Sequence, residues 1–324
     1  MSTYLKVNDH KVMRGETNTN YASPCKRLTF TVPYQYEFDI GTTVTGIINQ
    51  NGVDTTVFYG TVKQVSRRRP ENVWEFMAED IIQRPVEYWF APENIDEGIT
   101  WSNISHLALA KSILLYASIA NEFVIDDWTP YPTFQFATGP EPVKVQTANA
   151  WDVITWINQI TGMYVYADNS GNVHLSRIAD EPGLVASKTF VGGNSGTIKQ
   201  IEYTRSDENL RNKVVVYGAS GVQAISQAAS PYLPANYYKT AIISYSMIDT
   251  NEMAAETASI NLSRMNKLTE TVILEVNGDP SLDARATVQI TEPNTGVSGL
   301  WFVNQISHRL SSDAPYLCRL TCKK

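Results

Sequence analysis

Between residues 28 and 32 apolar and polar positions alternate, Leu28, Phe30 and Val32 against Thr29 and Thr31, until Pro33 stops the run. That period of two predicts a strand with one buried face. A β-branched stretch at 43–48 follows Gly41, and Asn51-Gly52 separates it from a longer run at 55–65. Asn-Gly between such runs is a strong hairpin signal, because both residues tolerate positive φ. The run continues into a charged turn (Arg67, Arg68, Arg69, Pro70, Glu71, Asn72) and returns over 73–79. Short strands joined by turns, with no long helix, predict a small β-barrel.

The middle of the chain changes period. Ser105 is placed to cap a helix carrying Leu107, Ala110, Ile113, Leu114, Ala117 and Ala120 at helical spacing. Residues 128–142, rich in proline and aromatics, read as an ordered connector. A second helix from near Thr147 puts Val153, Ile154, Ile157 and Ile160 on one face with Trp151 and Trp156 beside them, and Gly162 stands where a terminating glycine is expected. A hairpin follows around Asp168 and Gly171. Strands return at 213–217, and 222–238 reads as a loop or flexible arm. Asp249 with Glu252 resembles a capping box opening a helix with Ala254, Ala258, Leu262 and Met265 on one face. Further strands are predicted at 271–276, 286–290, 300–307 and 316–322.

The end of the chain echoes its beginning. Residues 62–67 line up with 303–308, 43–47 with 287–290, and Phe76 falls opposite Leu317, each beside an aromatic residue (Trp74, Tyr316). Alternating strands match one another easily, so chance is the competing reading. Agreement of three strands in order and spacing favours a duplicated barrel. The expected organisation is β-rich α+β: a first β-barrel domain at 1–92, a middle α+β domain with two helices and a hairpin at 93–205, and a second β-barrel domain with one helix at 206–324.

Composition narrows the function classes. The 324 residues are 43 % hydrophobic and 18 % charged, which excludes a disordered tail protein. The net charge of −7 repels phosphate backbones at long range and argues against general nucleic-acid binding. The longest apolar stretch, 107–120, is interrupted by Lys111 and falls short of the roughly 20 residues that cross a bilayer. The first six residues show no signal-peptide core, so general secretory export is not expected. Cys25, Cys318 and Cys322 form no disulfide framework; at roughly 3.3 Å per strand residue the last two lie about 13 Å apart and read as small strand side chains.

Candidate chemistry is sparse. His10, His106, His174 and His308 lack a His or Cys neighbour at ligand spacing, so no metal site is expected. The glycines at 192–196 and 218–221 lack the lysine of a phosphate loop and the strand-to-helix order of a dinucleotide site. The acid pairs Glu79-Asp80, Asp126-Asp127 and Asp207-Glu208 could supply a glycosidase acid and base, but adjacent carboxylates more often sit on solvated turns. The arginines at 67–69 suit a hairpin tip, and in an acidic chain favour a protein partner. Asn103 and Asn261 match the glycosylation pattern within or beside predicted helices. Aromatic residues at 10 %, including 7 Trp and 17 Tyr, suit a glycan-binding face or broad subunit interfaces. No catalytic, metal or cofactor residue is assigned.

Segments 57–65 and 74–80 resemble the first barrel of phage baseplate hub proteins of the late-control D-like group, which are related to the base of type VI secretion spikes. Segment 149–162 with its hairpin, 212–218, 277–280 and 299–308 resemble that family's later parts in the same order. The resemblance implies a homotrimer whose two similar tube-type barrels per chain form a ring, adapting a six-fold tail tube to a three-fold central spike. The implied partners are a further copy of the chain, the tail-tube protein or distal tube ring, the spike, and baseplate wedge or neighbouring tail proteins. DNA would be passing cargo in a lumen towards which part of the acidic charge faces, without membrane insertion. The implied location is the virion tail baseplate, with assembly in the host cytoplasm. The resemblance implies a non-enzymatic role, and with no obvious fused lysozyme or spike segment, cell-wall cutting and puncture would fall to separate proteins. The alternatives are a cell-wall glycosidase and a carbohydrate- or receptor-binding tail protein.

Overall fold

A computed structural model describes residues 3–20, 23–69, 71–91, 98–120, 123–125, 133–138, 142–177, 183, 185–193 and 196–324. Its first strands are Thr3–Val7 (β1), His10–Lys11 (β2), Arg14–Asn20 (β3), Arg27–Pro33 (β4), Thr43–Gln50 (β5), Val53–Arg68 (β6) and Val73–Glu79 (β7). They pair antiparallel in the order β3-β4-β7-β6-β5-β1-β2. The period of two sends Leu28, Phe30 and Val32 into a core with Leu5, Val44, Ile48, Phe58, Val62 and Phe76. Phe30 stacks on Phe76 at 5.1 Å while Phe38 meets both rings edge-on. Asn51 (φ 56°) and Gly52 (φ 86°) form the predicted tight turn. Gly60 permits a close crossing in β6, since a Cβ there would lie 2.2 Å from the Glu79 carbonyl oxygen.

The middle elements are Gln83–Glu87 (α1), Ile99–Trp101 (β8), Ile104–Ser105 (β9), His106–Tyr116 (α2), Phe123–Ile125 (β10), Gln135–Phe136 (β11), Val143–Val145 (β12), Ala150–Thr161 (α3), Met163–Ala167 (β13) and Val173–Arg177 (β14). Ser105 caps α2 as expected, accepting from the Ala108 N–H. The helix ends at Tyr116, so Ala120 lies beyond it. Asn149 caps α3, and Gly162 at φ 71° ends it. Asp168 Oδ1 accepts from the N–H groups of Ser170 and Asn172 and closes the β13–β14 hairpin. Most of the predicted connector at 128–142 lies outside the described residues.

The remaining elements are Lys188–Val191 (β15), Ile198–Ser206 (β16), Lys213–Tyr217 (β17), Gln223–Gln227 (β18), Thr240–Ser244 (β19), Asn251–Met265 (α4), Thr269–Asn277 (β20), Thr287–Glu292 (β21), Val297–Ser311 (β22) and Leu317–Lys323 (β23). The expected arm at 222–238 contains β18, which pairs with β17; β19 flanks β17 on its other side. Thr250, not Asp249, caps α4. Asp249 instead accepts from the Thr138 N–H and hydroxyl. Val214, Val216 and Ile243 of this small sheet and Met253, Ala254, Ala258 and Leu262 of α4 share the middle core with α2 and α3. Thr257 Oγ1 donates to Ile160 O (3.1 Å) and Asn261 Nδ2 to Gln159 O (2.9 Å), tying α4 to the end of α3. Residues 213–265, grouped by sequence with the final strands, thus pack centrally.

The β-rich α+β expectation holds. Closed barrels are not what the strands form. One 13-stranded sheet runs β16-β20-β23-β22-β3-β4-β7-β6-β5-β1-β2, with β21 and β15 branching from β22. The physical cause is the length of β22: its first half pairs with β21, and its second half lies between β23 and β3. A strand that serves both groups fuses them edge to edge. Regular strand structure also stops at Val12 and Met13 between β2 and β3, where single backbone bonds reach Leu5 O (3.0 Å) and Thr31 O (2.9 Å), and no ladder joins β15 to β16 among the described residues.

Candidate functional site

Pairing recurs in the first and last strand groups. In the first, β5-β6-β7-β4-β3 are neighbours in that order; in the last, β21-β22-β23-β20-β16 repeat it. The two long strands even bulge at matching places, between Val62 and Gln64 and between Val303 and Gln305. Equivalence can therefore be read pair by pair. Val62 faces Ala78 as Val303 faces Cys322, and Val65 faces Phe76 as Ile306 faces Leu320. The counterpart of Phe76 is Leu320, three residues after the Leu317 suggested by sequence. The reason is turn length: Arg68 faces Val73, whereas its counterpart Arg309 faces Leu317, across a longer connection. The outermost strands differ, β1 meeting β5 antiparallel while β15 meets β21 parallel.

Where the groups meet, β3 and β22 pair with Glu16 opposite Arg309, Asn18 opposite Ser307 and Asn20 opposite Gln305. Arg309 Nε donates to Glu16 Oε1 at 3.1 Å, the Ser307 hydroxyl donates to the same oxygen, and Gln305 Nε2 donates to Asn18 Oδ1 at 3.2 Å. Gln50 Nε2 adds a contact to Gly278 O at 3.1 Å. The three β3–β22 bonds join residues 287 to 293 positions apart in sequence, and the Gln50 contact spans 228. Behind the ladder Tyr316 packs against both cores. Its hydroxyl donates to His308 Nδ1 (2.7 Å), so Nε2 carries the proton given to Leu282 O (3.1 Å). Cys318 Sγ lies 3.2 Å from Nδ1. Burial pulls His308 down to about 4 and pushes Cys318 up to about 11. A neutral thiol beside a neutral imidazole, both buried, is packing rather than an activated nucleophile.

A second junction ties the middle hairpin to both groups. The buried Lys26 ammonium contacts Asn169 Oδ1 and lies 3.5 Å from Asp283 Oδ1. Beside it Asp80 accepts from the N–H groups of Lys26 (2.9 Å) and Ile82 (3.0 Å). Burial pushes Asp80 up to about 7, against the pull of those donors and of Lys26. Arg285 lies over the Tyr166 ring at 3.2 Å, Tyr166 stacks on His174 at 4.6 Å, and His174 Nε2 reaches Asp168 Oδ2 at 3.2 Å.

The other sequence candidates stay apart. Glu79 pairs with Arg27 and Asp207 with Lys239, each at 2.6 Å, while Asp126 and Asp127 lie outside the described residues. Neither described acid pair forms a two-carboxylate cleft. No group of His, Cys, Asp and Glu among the described residues could hold a metal. His10 lies against Tyr36 and His106 against Phe134. Cys318 and Cys322 are buried strand side chains, and Cys25 is a free thiol. Arg67 covers Tyr34 at 4.2 Å and Arg68 pairs with Glu75 at 2.6 Å. Gly218 and Gly221 bracket a turn, and residues 194–195 of the other glycine cluster lie outside the described set. Asn261 is 3 % exposed, out of reach of a glycan. Sequence reading missed Glu16 and β16. The available signal was Gln64, Ser66 and Arg68 recurring as Gln305, Ser307 and Arg309, one residue past the aligned segment.

A family profile described as YQBQ-like matches residues 151–319, just over half of the chain. No curated protein sequence matches the chain significantly. Among solved structures, a tail protein from Neisseria meningitidis MC58 superposes with a TM-score of 0.74, covering 99 % of this chain and 96 % of that one at 13 % identity. The 43 kDa tail protein of prophage MuSo2 from Shewanella oneidensis gives 0.68, covering 99 % and 98 % at 12 % identity. The c3393 protein of E. coli, a type VI secretion system component, gives 0.56, covering 98 % and 76 % at 10 % identity. The fold is that of phage tail proteins and of a type VI secretion component, in keeping with the baseplate hub-like resemblance of the sequence.

Proposed function

The chain belongs to the YQBQ-like family, and from that premise we propose that it is the structural hub of a phage tail baseplate or a related contractile injection device. In this reading three copies form a ring that adapts a six-fold tail tube to a three-fold spike and lines part of the DNA channel. The observation that carries it is the repeated wiring, β5-β6-β7-β4-β3 and β21-β22-β23-β20-β16, set side by side in one sheet. Two like modules per chain and three chains give six quasi-equivalent units, a direct way to match a six-fold ring. Each module then offers a similar edge and loops to one tube subunit.

The middle body, expected at 93–205 and joined by the core residues of 213–265, would stand beside the ring and meet neighbouring tail proteins. The net charge of −7 would face the lumen in part, so that DNA passes without adhering. The role is non-enzymatic in this account, and wall cutting and puncture fall to other proteins of the particle. Light scattering on the purified chain tests the reading together with quantitative mass spectrometry of isolated tails. The expected results are a mass near three times 36.2 kDa and three copies for every six tube subunits of one ring. A persistent monomer missing from particles would end it, and peptidoglycan clearing lost on substituting Glu79 and Asp80 would favour a glycosidase instead.

A further inference from the structure

Resting on the ring reading, we infer that the β3–β22 seam within one chain is repeated between chains, with β16 of one copy pairing to β6 of a second copy. The repeat supplies the argument. β3 and β22 are matched, by pairing register, to β16 and β6 of the other module. The first two strands pair with each other; the second two are left with open edges. Among the described residues β16 pairs only with β20, and residues 64–68 of β6 have β7 on one side and no strand on the other. An open edge of that length is a template for another chain.

Side chains on these edges repeat as well. Gln64, Ser66 and Arg68 stand where Gln305, Ser307 and Arg309 stand in β22, and Glu202 stands where Glu16 stands in β3. In the internal seam Ser307 and Arg309 both bind Glu16. The same register between copies sets Ser66 opposite Thr204 and Arg68 opposite Glu202, reproducing the serine–arginine–glutamate contact. Arg68 and Glu202 are exposed; Arg68 pairs with Glu75 at 2.6 Å within its own chain and would be shared with Glu202, which makes no ion pair among the described residues. On the other face Arg67, already over Tyr34, would meet Tyr203, which is 38 % exposed. The contact is head-to-tail, and it closes at three chains if the internal and external seams, made alike, each turn one module about 60° from the next.

The test uses the full chain with Arg68→Glu, Glu202→Arg and the two combined. Each single change should weaken trimerisation roughly ten-fold or more in sedimentation, and the combined swap should restore it to within about three-fold. In a Cys25→Ser background, Ser66→Cys with Thr204→Cys and a short bis-maleimide should give linked species ending at three chains. A trimer indifferent to both charge changes and unlinked by the reagent overturns this register while leaving the ring reading intact. Linked species that run past three chains show an open polymer and overturn the closure. A chain that stays monomeric and unlinked at every concentration overturns the ring reading and this seam together.

Discussion

Replacing Gly278 by alanine should unsettle the joint between the two modules. A Cβ at this position would lie 2.1 Å from Cγ and Cδ1 of Tyr316 and 2.4 Å from Cδ2, beneath the ring face. Ordinary carbon contacts need roughly 3.5–4 Å, so the ring must withdraw by more than about 1 Å. The Gly278 N–H also donates to Tyr316 O at 2.9 Å, which resists a simple backbone shift. Overpacking of this kind costs about 1–3 kcal/mol. Withdrawal also breaks the 2.7 Å bond from the Tyr316 hydroxyl to the buried His308 Nδ1. Nδ1 then keeps only the weak Cys318 thiol donor at 3.2 Å, so the lost bond adds about 1–2 kcal/mol. Gly278→Ala should therefore lose roughly 2–5 kcal/mol in urea unfolding with an unchanged slope. Tyr316→Phe should lose only the hydrogen-bond part. Adding Tyr316→Ala to Gly278→Ala should cost less than the two single losses combined, because the obstructed ring is gone. A Gly278→Ala loss under about 0.5 kcal/mol, or full additivity, would refute the reasoning.

Other tests concern protons and the middle core. Asp80 is raised from 3.8 to about 7, so its contribution to stability is complete at low pH and is lost as pH climbs through about 7. His308 is lowered from 6.5 to about 4, so its contribution is complete above about 6.5 and is lost as pH falls towards 4. The two slopes oppose between pH 4.5 and 6.5; Asp80→Asn should steepen the acid loss by a few kcal/mol and His308→Gln should reverse it. Unfolding curves that keep parallel slopes in all three proteins would reject both assignments. Asn261→Ala removes donors to Gln159 O and Thr257 O and should cost about 1–3 kcal/mol, read as a lower thermal midpoint. An unchanged midpoint would mean that the Asn261 bonds add nothing and that Thr257 and apolar contact hold α4 to α3.

Much of the fold was legible where burial is local and periodic. Strands β4 to β7 announce themselves because alternate residues enter one core, and α3 because a cap, an apolar stripe and a terminating glycine agree. Strand β3 does not, since Arg14–Asn20 contains no large apolar residue; it is held as a strand by β4 and β22, the latter some 290 residues away. The nine residues of β16 are mostly exposed, so one ladder rather than a buried face defines them. Helix α4 shows small buried residues, which signal close packing without saying against what, and its cap sits one residue later than the Asp249–Glu252 pattern suggested. The barrels were inferred from strand count and turns; neither reveals that β22 is long enough to bridge two sheets. The repeat was visible, but its last strand slipped by three residues because register depends on the turn. The seam residues escaped attention because Glu16 and Glu202 sit in polar stretches that acquire meaning only from the strand opposite.

Image reconstruction of the assembled chain without imposed symmetry reaches the central claim most directly. The account predicts a closed ring of three chains around a pore, with six strand modules about 60° apart and β16 of each copy laid along β6 of the next. Density that places the first and last strand groups at unequal distances from the axis, or shows no pore between them, would contradict it.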